Sequence, residues 1–351
     1  MVQRNGGIGN VTTNTTLVEM AMAYSRSRVL CAAARLGVAD ALGDDVRSVE
    51  NLAETCGADV DALYRLLRAV ASIGITEETS PRHFRLTSFG RPLRRDADQS
   101  VWPAVIFWSD LLADSWSLLT DCVRTGKSAA QVRDPNVPSR WSQDPDASAI
   151  FRAVMGTAPA DDYAPIASAW DFSRANVVAD LGGGGGALIL AVLEQYPDVR
   201  GMLVDLEPSI EAAKARFADE ELSSRCKLVT ADLMEAVPPG ADVYMIKHVL
   251  HGRRNEDAVT ILKNCLAVIP DSGVLLIIEF VLPPVISQAD PNLETHLMSD
   301  LNMMAVTGGR ERSEQEWRLL LEAAGFHLTG VRPVGRDVSI VEAKPARLFG
   351  R

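Results

Sequence analysis

The stretch VVADLGGGGGALILAVL, Val177 to Leu193, sets five consecutive glycines between an apolar run and a helix-forming one. Glycine inside regular structure costs about 0.5–1 kcal/mol relative to alanine, so such a run marks a place that needs bare backbone. A strand, a glycine turn and a helix, in that order, form the nucleotide-binding corner of a doubly wound sheet. There the backbone approaches a ligand and the helix N-terminus favours negative charge.

The surrounding chain agrees. From about Ala175 onward, the apolar runs NVVADL, RGMLVDL, CKLVTADL, DVYMIKHVL and GVLLIIEFVL alternate with helical segments. Near-continuous apolar strands separated by helices predict a parallel sheet covered on both faces. The last two runs, FHLTGVRPV and VSIVEAKPA, are separated only by Gly335, Arg336 and Asp337, which suits a hairpin and an antiparallel final strand. The expected fold class is therefore α/β, a Rossmann-like, mostly parallel sheet with an antiparallel last strand.

Two glycine patterns fit the corner. Gly182, Gly184 and Ala187 satisfy the G-x-G-x-x-G/A pattern of dinucleotide enzymes, and Gly182, Gly184 and Gly186 satisfy the G-x-G-x-G pattern of S-adenosylmethionine (SAM) enzymes. The acids sharpen the choice. Asp205 ends the second strand 25 residues after Asp180, where a carboxylate accepts both ribose hydroxyls. Asp232 ends the third strand, within reach of an adenine edge. Acids at successive strand ends face the carboxyl edge of the sheet and suit a nucleoside lying along it, whereas a pyrophosphate prefers fewer negative neighbours. The competing reading makes Asp205 and Asp232 helix caps.

The first half has another rhythm. In VDALYRLLRAVASIGI, Leu63, Leu66, Leu67 and Val70 form one apolar helical stripe that ends at Gly74. SVENLAETCGADV reads as a shorter helix closed by Gly57, and the segment around Ser80-Pro81 as a hairpin. This is a winged-helix outline, but its second helix carries Asp59 and Asp61 at its start and no basic cluster, so a packing and dimerisation module is expected rather than a DNA reader. Residues 17–42 are apolar over more of their circumference than a solitary surface helix allows, which predicts burial against a second copy. A Trp- and Leu-rich helical region, with Trp102, Phe107, Trp108, Trp116, Trp141, Phe151 and Met155, bridges the halves. The expected boundaries are 1–93, 94–174 and 175–351.

Composition bounds the rest. The 351 residues carry a formal charge of −11, which disfavours polyanionic partners, nucleic acid included. No run is long and apolar enough for a membrane span and no secretory signal opens the chain, so a cytoplasmic protein is expected. The five cysteines are scattered singly, without CxxC spacing, and suggest neither disulfides nor zinc.

VVADLGGGGGALI, GMLVDLEPSIEAA, TADLMEAVPPGADVYMIKHVLH, LLIIEFVLPP and DLNMMAVTGGRERSEQEWRLLLEAAGF together resemble the class I SAM-dependent small-molecule O-methyltransferases, of the plant caffeic-acid type and the bacterial polyketide and anthracycline tailoring type. The likeness runs from about Leu17 to Ala346. It implies a homodimer built through the N-terminal domain and an aromatic small-molecule substrate. By resemblance, Asp180 with Gly182 and Gly184 holds the methionine end of SAM. Asp205 with Leu206 takes the ribose, Asp232 and Leu233 the adenine, and Lys247 lies close by.

The resemblance also makes His251 the catalytic base, attended by Glu279 and Glu311. His248 is the weaker alternative, since strand alternation aims it at the opposite face. The expected acceptor pocket contains Trp108, Phe151, Met155, His296, Met303 and Met304, methionines suiting flat aromatic faces of varied outline. Ordinary helix packing is the rival account of the two adjacent methionines. His251 with His296 lacks a matched carboxylate spacing, and no metal is expected.

The chemistry of the trio stands apart from the likeness. A phenol is mostly protonated at neutral pH, and a positioned imidazole that removes its proton contributes roughly 10²–10⁴-fold. One departure stands out: the family usually has Asp-Trp after the base, and this chain has Gly252-Arg253-Arg254. That departure motivates one alternative, a relative that keeps SAM but hydroxylates or rearranges its substrate; the winged-helix outline motivates another, a ligand-responsive regulator.

Overall fold

The alternating apolar runs after Ala175 form a seven-stranded sheet in the computed structural model, which describes residues 8–134, 144–156, 163–218, 220–286, 291–335 and 338–348. Trp141, Arg336 and Asp337 lie outside the described residues. The chain divides into two units. One is Met1–Asp114 with Pro145–Val154, and the other is Ser115–Asp144 with Met155–Arg351.

In the first unit, α1 (Ile8–Arg35) and α2 (Val38–Leu42) precede a short strand β1 (Arg47–Ser48), then α3 (Val49–Cys56) and α4 (Val60–Ser72), and a hairpin of β2 (Thr76–Ser80) and β3 (His83–Leu86). Local chemistry sets these limits. The Ser48 side chain caps α3, Asp59 accepts from Asp61 and Ala62 at the start of α4, and Gly57 ends α3 in the left-handed conformation at φ 62°. Leu63, Leu67 and Val70 are buried along the predicted stripe. The strands order β1-β3-β2, all antiparallel, as a wing.

In the second unit, β4 (Val177–Leu181), β5 (Arg200–Asp205), β6 (Cys226–Thr230), β7 (Val243–Lys247), β8 (Val274–Glu279), β11 (Phe326–Val334) and β12 (Val338–Pro345) order as β11-β12-β8-β7-β4-β5-β6. The two-residue strands β9 (Val281–Leu282) and β10 (Arg312–Ser313) pair with each other in parallel outside that sheet. Strands β4 to β8 are parallel, and β12 is antiparallel to both β8 and β11, as the short final connection predicts.

Every residue of Ala187–Leu193 in α5 (Ala187–Gln195) is buried, as are Val274–Glu279. Ala179, Leu181, Tyr244 and Ile246 pack on one face with α7 (Asn255–Val268) and α9 (Glu314–Ala324), while Val178, Met245 and Ile278 pack on the other with α5. The remaining helices of this unit used below are α6 (Glu207–Ala213) and α8 (Pro291–Val306). The parallel strands β4 to β8 deliver their C-terminal residues to one edge, where β4 and β7 reverse the direction of strand order.

Candidate active site

The glycine corner forms as the sequence predicts, with Gly182, Gly184 and Gly186 at φ 69°, 56° and 76°. Two positions show why side chains are excluded. A Cβ on Gly183 would stand 2.5 Å from Asp180 Oδ2, so the loop lies directly on that carboxylate. Gly184 has nothing within 4 Å of its Cβ position, so the loop opens there into free space.

Asp180 is 1% exposed, and neither of its carboxylate oxygens has a hydrogen-bond partner. Burial pushes its carboxyl up to about 7, with Lys247 pulling back and Asp205 adding to the rise. Lys247 ends β7, its Nζ 5.0 Å from the Tyr163 ring centroid, and burial holds its amine below the ordinary range against the pull of Glu279 and Asp180.

Asp205 does not cap a helix: α6 has Leu206 at its N-cap and no side-chain cap bond. Instead Asp205 Oδ2 accepts from the Gly184 N–H at 2.8 Å and Oδ1 from the Leu206 N–H at 2.7 Å, linking the second strand end to the glycine loop. Leu206 is exposed. Asp232 is exposed and accepts from the Met234 N–H at 2.8 Å, while Leu233 packs into the core with its carbonyl bonded to Asn264.

The three predicted catalytic residues come together. His251 lies in a single 3-10 turn, Leu250–Gly252, and its Nδ1 is 2.8 Å from Glu311 Oε1. An ionised carboxylate only accepts, so Nδ1–H donates and Nε2 is left as the basic nitrogen. Glu279, at the end of β8, is fully buried; its Oε1 accepts from the backbone N–H groups of Leu250 (3.1 Å) and His251 (3.3 Å), and its Oε2 stands 3.7 Å from His251 Nδ1. Burial opposes a charged ring, yet Glu279 and Glu311 outweigh it and hold His251 above its ordinary 6.5. Burial likewise opposes ionised Glu279, but His251, His248 and the backbone donor keep it below 4.5.

The expectation for His248 fails. Strand alternation stops applying at Lys247, because His248 takes a left-handed φ of 52°. Its ring therefore joins the site on the same side as His251, with centroids 5.1 Å apart, and its Nδ1 is 3.0 Å from Glu279 Oε2. The donor atoms of His248, His251 and Glu279 lie within 4.8 Å of one another, and hydrogen bonds knit them together.

The supporting groups were not legible in the sequence. Ser299 Oγ donates to Glu311 Oε1 at 2.9 Å, and Asp300 accepts the Glu311 N–H at 2.8 Å. Arg312, 1% exposed, donates to the carbonyls of Leu250 (3.0 Å) and Arg253 (3.2 Å) and to Asn255 Oδ1, tying the turn that carries His251 to the segment that carries Glu311. Burial brings its guanidinium down to about 10. In GGRERS it reads as one more solvated charge, with no local signal to set it apart.

The expected pocket residues separate. His296 stacks on Phe280, centroids 4.1 Å apart at 21°, and Phe280 lies 5.1 Å from His248. Met303 is half-buried on α8; Met304 packs against Cys122, Ala129 and Ala305. Trp108 and Phe151 belong to the first unit, their ring centroids 5.3 and 6.0 Å from that of Phe107, and both are exposed, as is Met155. Arg253 is exposed and Arg254 donates to Gln131. A cleft of about 630 Å³, lined in part by Asn255, Val259, Lys263, Arg310 and Leu320, contains none of the expected site residues.

With this geometry in place, comparison with known proteins is direct. Residues 116–327 match the O-methyltransferase domain family, and residues 18–95 the O-methyltransferase dimerisation domain family. The chain belongs to the SAM-dependent O-methyltransferases. It is 33% identical over 342 residues to a phenazine O-methyltransferase from Lysobacter antibioticus, covering 97% of this chain and 99% of that one. It is 32% identical over 325 residues to aclacinomycin 10-hydroxylase from Streptomyces purpurascens, covering 88% and 85%. Among solved structures it resembles an O-methyltransferase of neocarzinostatin biosynthesis in complex with SAM and 2-hydroxy-5-methyl naphthoic acid, at a TM-score of 0.77 and 31% identity, covering 91% and 95%.

The cofactor of this O-methyltransferase is SAM, and the residues suit it. SAM carries an ammonium and a sulfonium, and Asp180 offers a buried carboxylate with no partner of its own. A ribose diol needs an acceptor, and Asp205 stands at the open side of the loop, beside the clear space at Gly184.

Proposed function

We propose that this O-methyltransferase methylates a phenolic hydroxyl of an aromatic, polyketide-like secondary metabolite, with His251 as general base. The observation that carries the reading is the 2.8 Å contact between His251 Nδ1 and Glu311 Oε1, which fixes the tautomer and leaves Nε2 free to take a proton. When bound, SAM supplies an electrophilic methyl group on sulfur. Asp180, Gly182, Gly184, Asp205, Leu206, Asp232, Leu233 and Lys247 hold it in this reading.

His251 takes the hydroxyl proton at Nε2 as the oxygen becomes nucleophilic. Glu311, hydrogen-bonded, and Glu279, one step further away, stabilise the imidazolium that results. Phe280 and His296 present a stacked aromatic wall beside His248 for a flat acceptor, and Met303 shares α8 with His296; Met304 serves packing as well. Residues 1–93 act as the dimerisation domain, 94–174 as the bridge and 175–351 as the catalytic domain, and the protein works in the cytoplasm, where its unpaired cysteines stay reduced.

The test is methyl transfer from labelled SAM to a panel of hydroxynaphthoic acids, with product masses. A product heavier by one CH₂ is expected, and turnover without that gain would replace methylation by hydroxylation or rearrangement. His251→Ala should lose roughly 10²–10⁴-fold in kcat. Since only neutral His251 accepts a proton and its pKa is raised, kcat should climb with pH through an inflection above 6.5. Unchanged turnover in the alanine variant would remove the proposed base.

A further inference from the structure

The proposed reaction leaves His248 unused, although the chain adopts an uncommon conformation to place it. Among the described residues only Arg82 and His248 combine a side chain with positive φ. Arg82 sits at a hairpin turn, whereas His248 directly follows a parallel strand, its N–H still bonded to Ile278 O at 3.2 Å. Local strain of this kind persists where the surroundings over-determine it, and it clusters at functional sites.

The left-handed step puts the His248 ring between His251, 5.1 Å away at 31°, and Phe280, 5.1 Å away at 58°. It also aims Nδ1 at Glu279 Oε2, 3.0 Å away. The other oxygen, Oε1, accepts two backbone N–H groups. His248 is thus the one side-chain donor in the hydrogen bonds described for Glu279. The 3.7 Å from Glu279 Oε2 to His251 Nδ1 is too long for a hydrogen bond and short enough for strong electrostatic coupling in a buried site.

We propose that His248 is a positioning residue: as a neutral donor it pins Glu279 in its ionised form beside His251, so that Glu279 acts as fixed charge support for the base while Glu311 acts as its hydrogen-bond partner. This rests on His251 being the base. The other charged groups facing the cluster are Lys247 at the end of β7, Glu311 on the segment leading into β10, and Arg312 in β10. Burial disfavours protonation of His248, and Lys247 and His251 add to that, which keeps it a neutral donor. Losing the donor raises the proton affinity of Glu279, thins the negative charge beside His251 and lets the His251 pKa fall.

The experiment is an NMR titration of full-length protein carrying labelled histidine, saturated with S-adenosylhomocysteine, in wild type, His248→Gly and His248→Asn. Glycine relieves the left-handed strain but removes the donor. Asparagine tolerates that backbone and keeps an N–H close to the position of Nδ1. Both variants should bind S-adenosylhomocysteine like wild type. The His251 pKa should fall by roughly one unit in the glycine variant and stay near wild type with asparagine.

An unshifted His251 in the glycine variant, or a shift as large with asparagine as with glycine, overturns the proposal. If the glycine variant fails to hold S-adenosylhomocysteine, His248→Ala supplies the same comparison. Failure of the base assignment itself shows separately, as full turnover in His251→Ala.

Discussion

A carboxylate sealed under a glycine loop with no donor is costly, and Asp180 is one. Burial raises its folded pKa to about 7, above the ordinary 3.8, so between those values the folded chain binds more protons than the unfolded one. By linkage, this residue makes stability decline as pH rises through that window and level off above it, by about 1.4 kcal/mol for each pH unit. Asp180→Asn removes the titrating group. In cofactor-free protein, the Tm of the variant relative to wild type should increase steadily from about pH 4.5 to pH 7.5, as scanning calorimetry would show. The same variant should bind SAM about tenfold or more weakly, since a neutral amide offers no charge to an ammonium. A flat Tm difference across the range would mean that Asp180 is partnered in solution.

Between elements, the site depends on a backbone fit. The Gly308-Gly309 turn brings Glu311 to His251 because the Arg310 N–H donates to His251 O at 2.8 Å, and a Cβ on Gly309 would stand 2.0 Å from that same oxygen. Gly309→Ala must therefore push the segment leading into β10 off the turn after β7. Methyl transfer should fall roughly 10- to 100-fold in kcat, as expected for misplacement of about 1 Å, with S-adenosylhomocysteine affinity unchanged. Equal loss of cofactor affinity would show a wider collapse. This junction also marks where the sequence stopped being readable. Apolar runs announced β4 to β8, an apolar stripe announced α4 and Gly57 marked the end of α3, because those signals are local. The pairing of β9 with β10 spans two residues and has no period to detect. Buried Arg312 sat in a charged run, and alternation misplaced His248 because it assumed that β7 continues past Lys247.

For the molecule as a whole, family likeness made the cofactor legible and pointed to His251, Glu279 and Glu311, which the fold brings together, since those residues sit in contiguous motifs. The surroundings of the cluster were legible only in part, because the Phe280–His296 stack joins residues far apart in sequence while Met304 turns into packing. Assembly is the remaining step. In α1 the large side chains Val18, Met20, Met22 and Tyr24 are 58–66% exposed in a single chain, within the span that matches a dimerisation domain. Leaving that surface in water is unfavourable at about 25 cal/mol per Å² of apolar area, which makes it the expected contact with the second copy in the homodimer. Met20→Asp with Tyr24→Asp places two charges where burial is expected and should weaken dimerisation at least about 100-fold, read by sedimentation equilibrium. The resulting monomer should still bind SAM, because Asp180, Asp205 and the glycine loop all belong to the second unit. A dimer that survives both charges would place the interface elsewhere on the first unit. A monomer that loses SAM would mean that assembly shapes the cofactor corner as well.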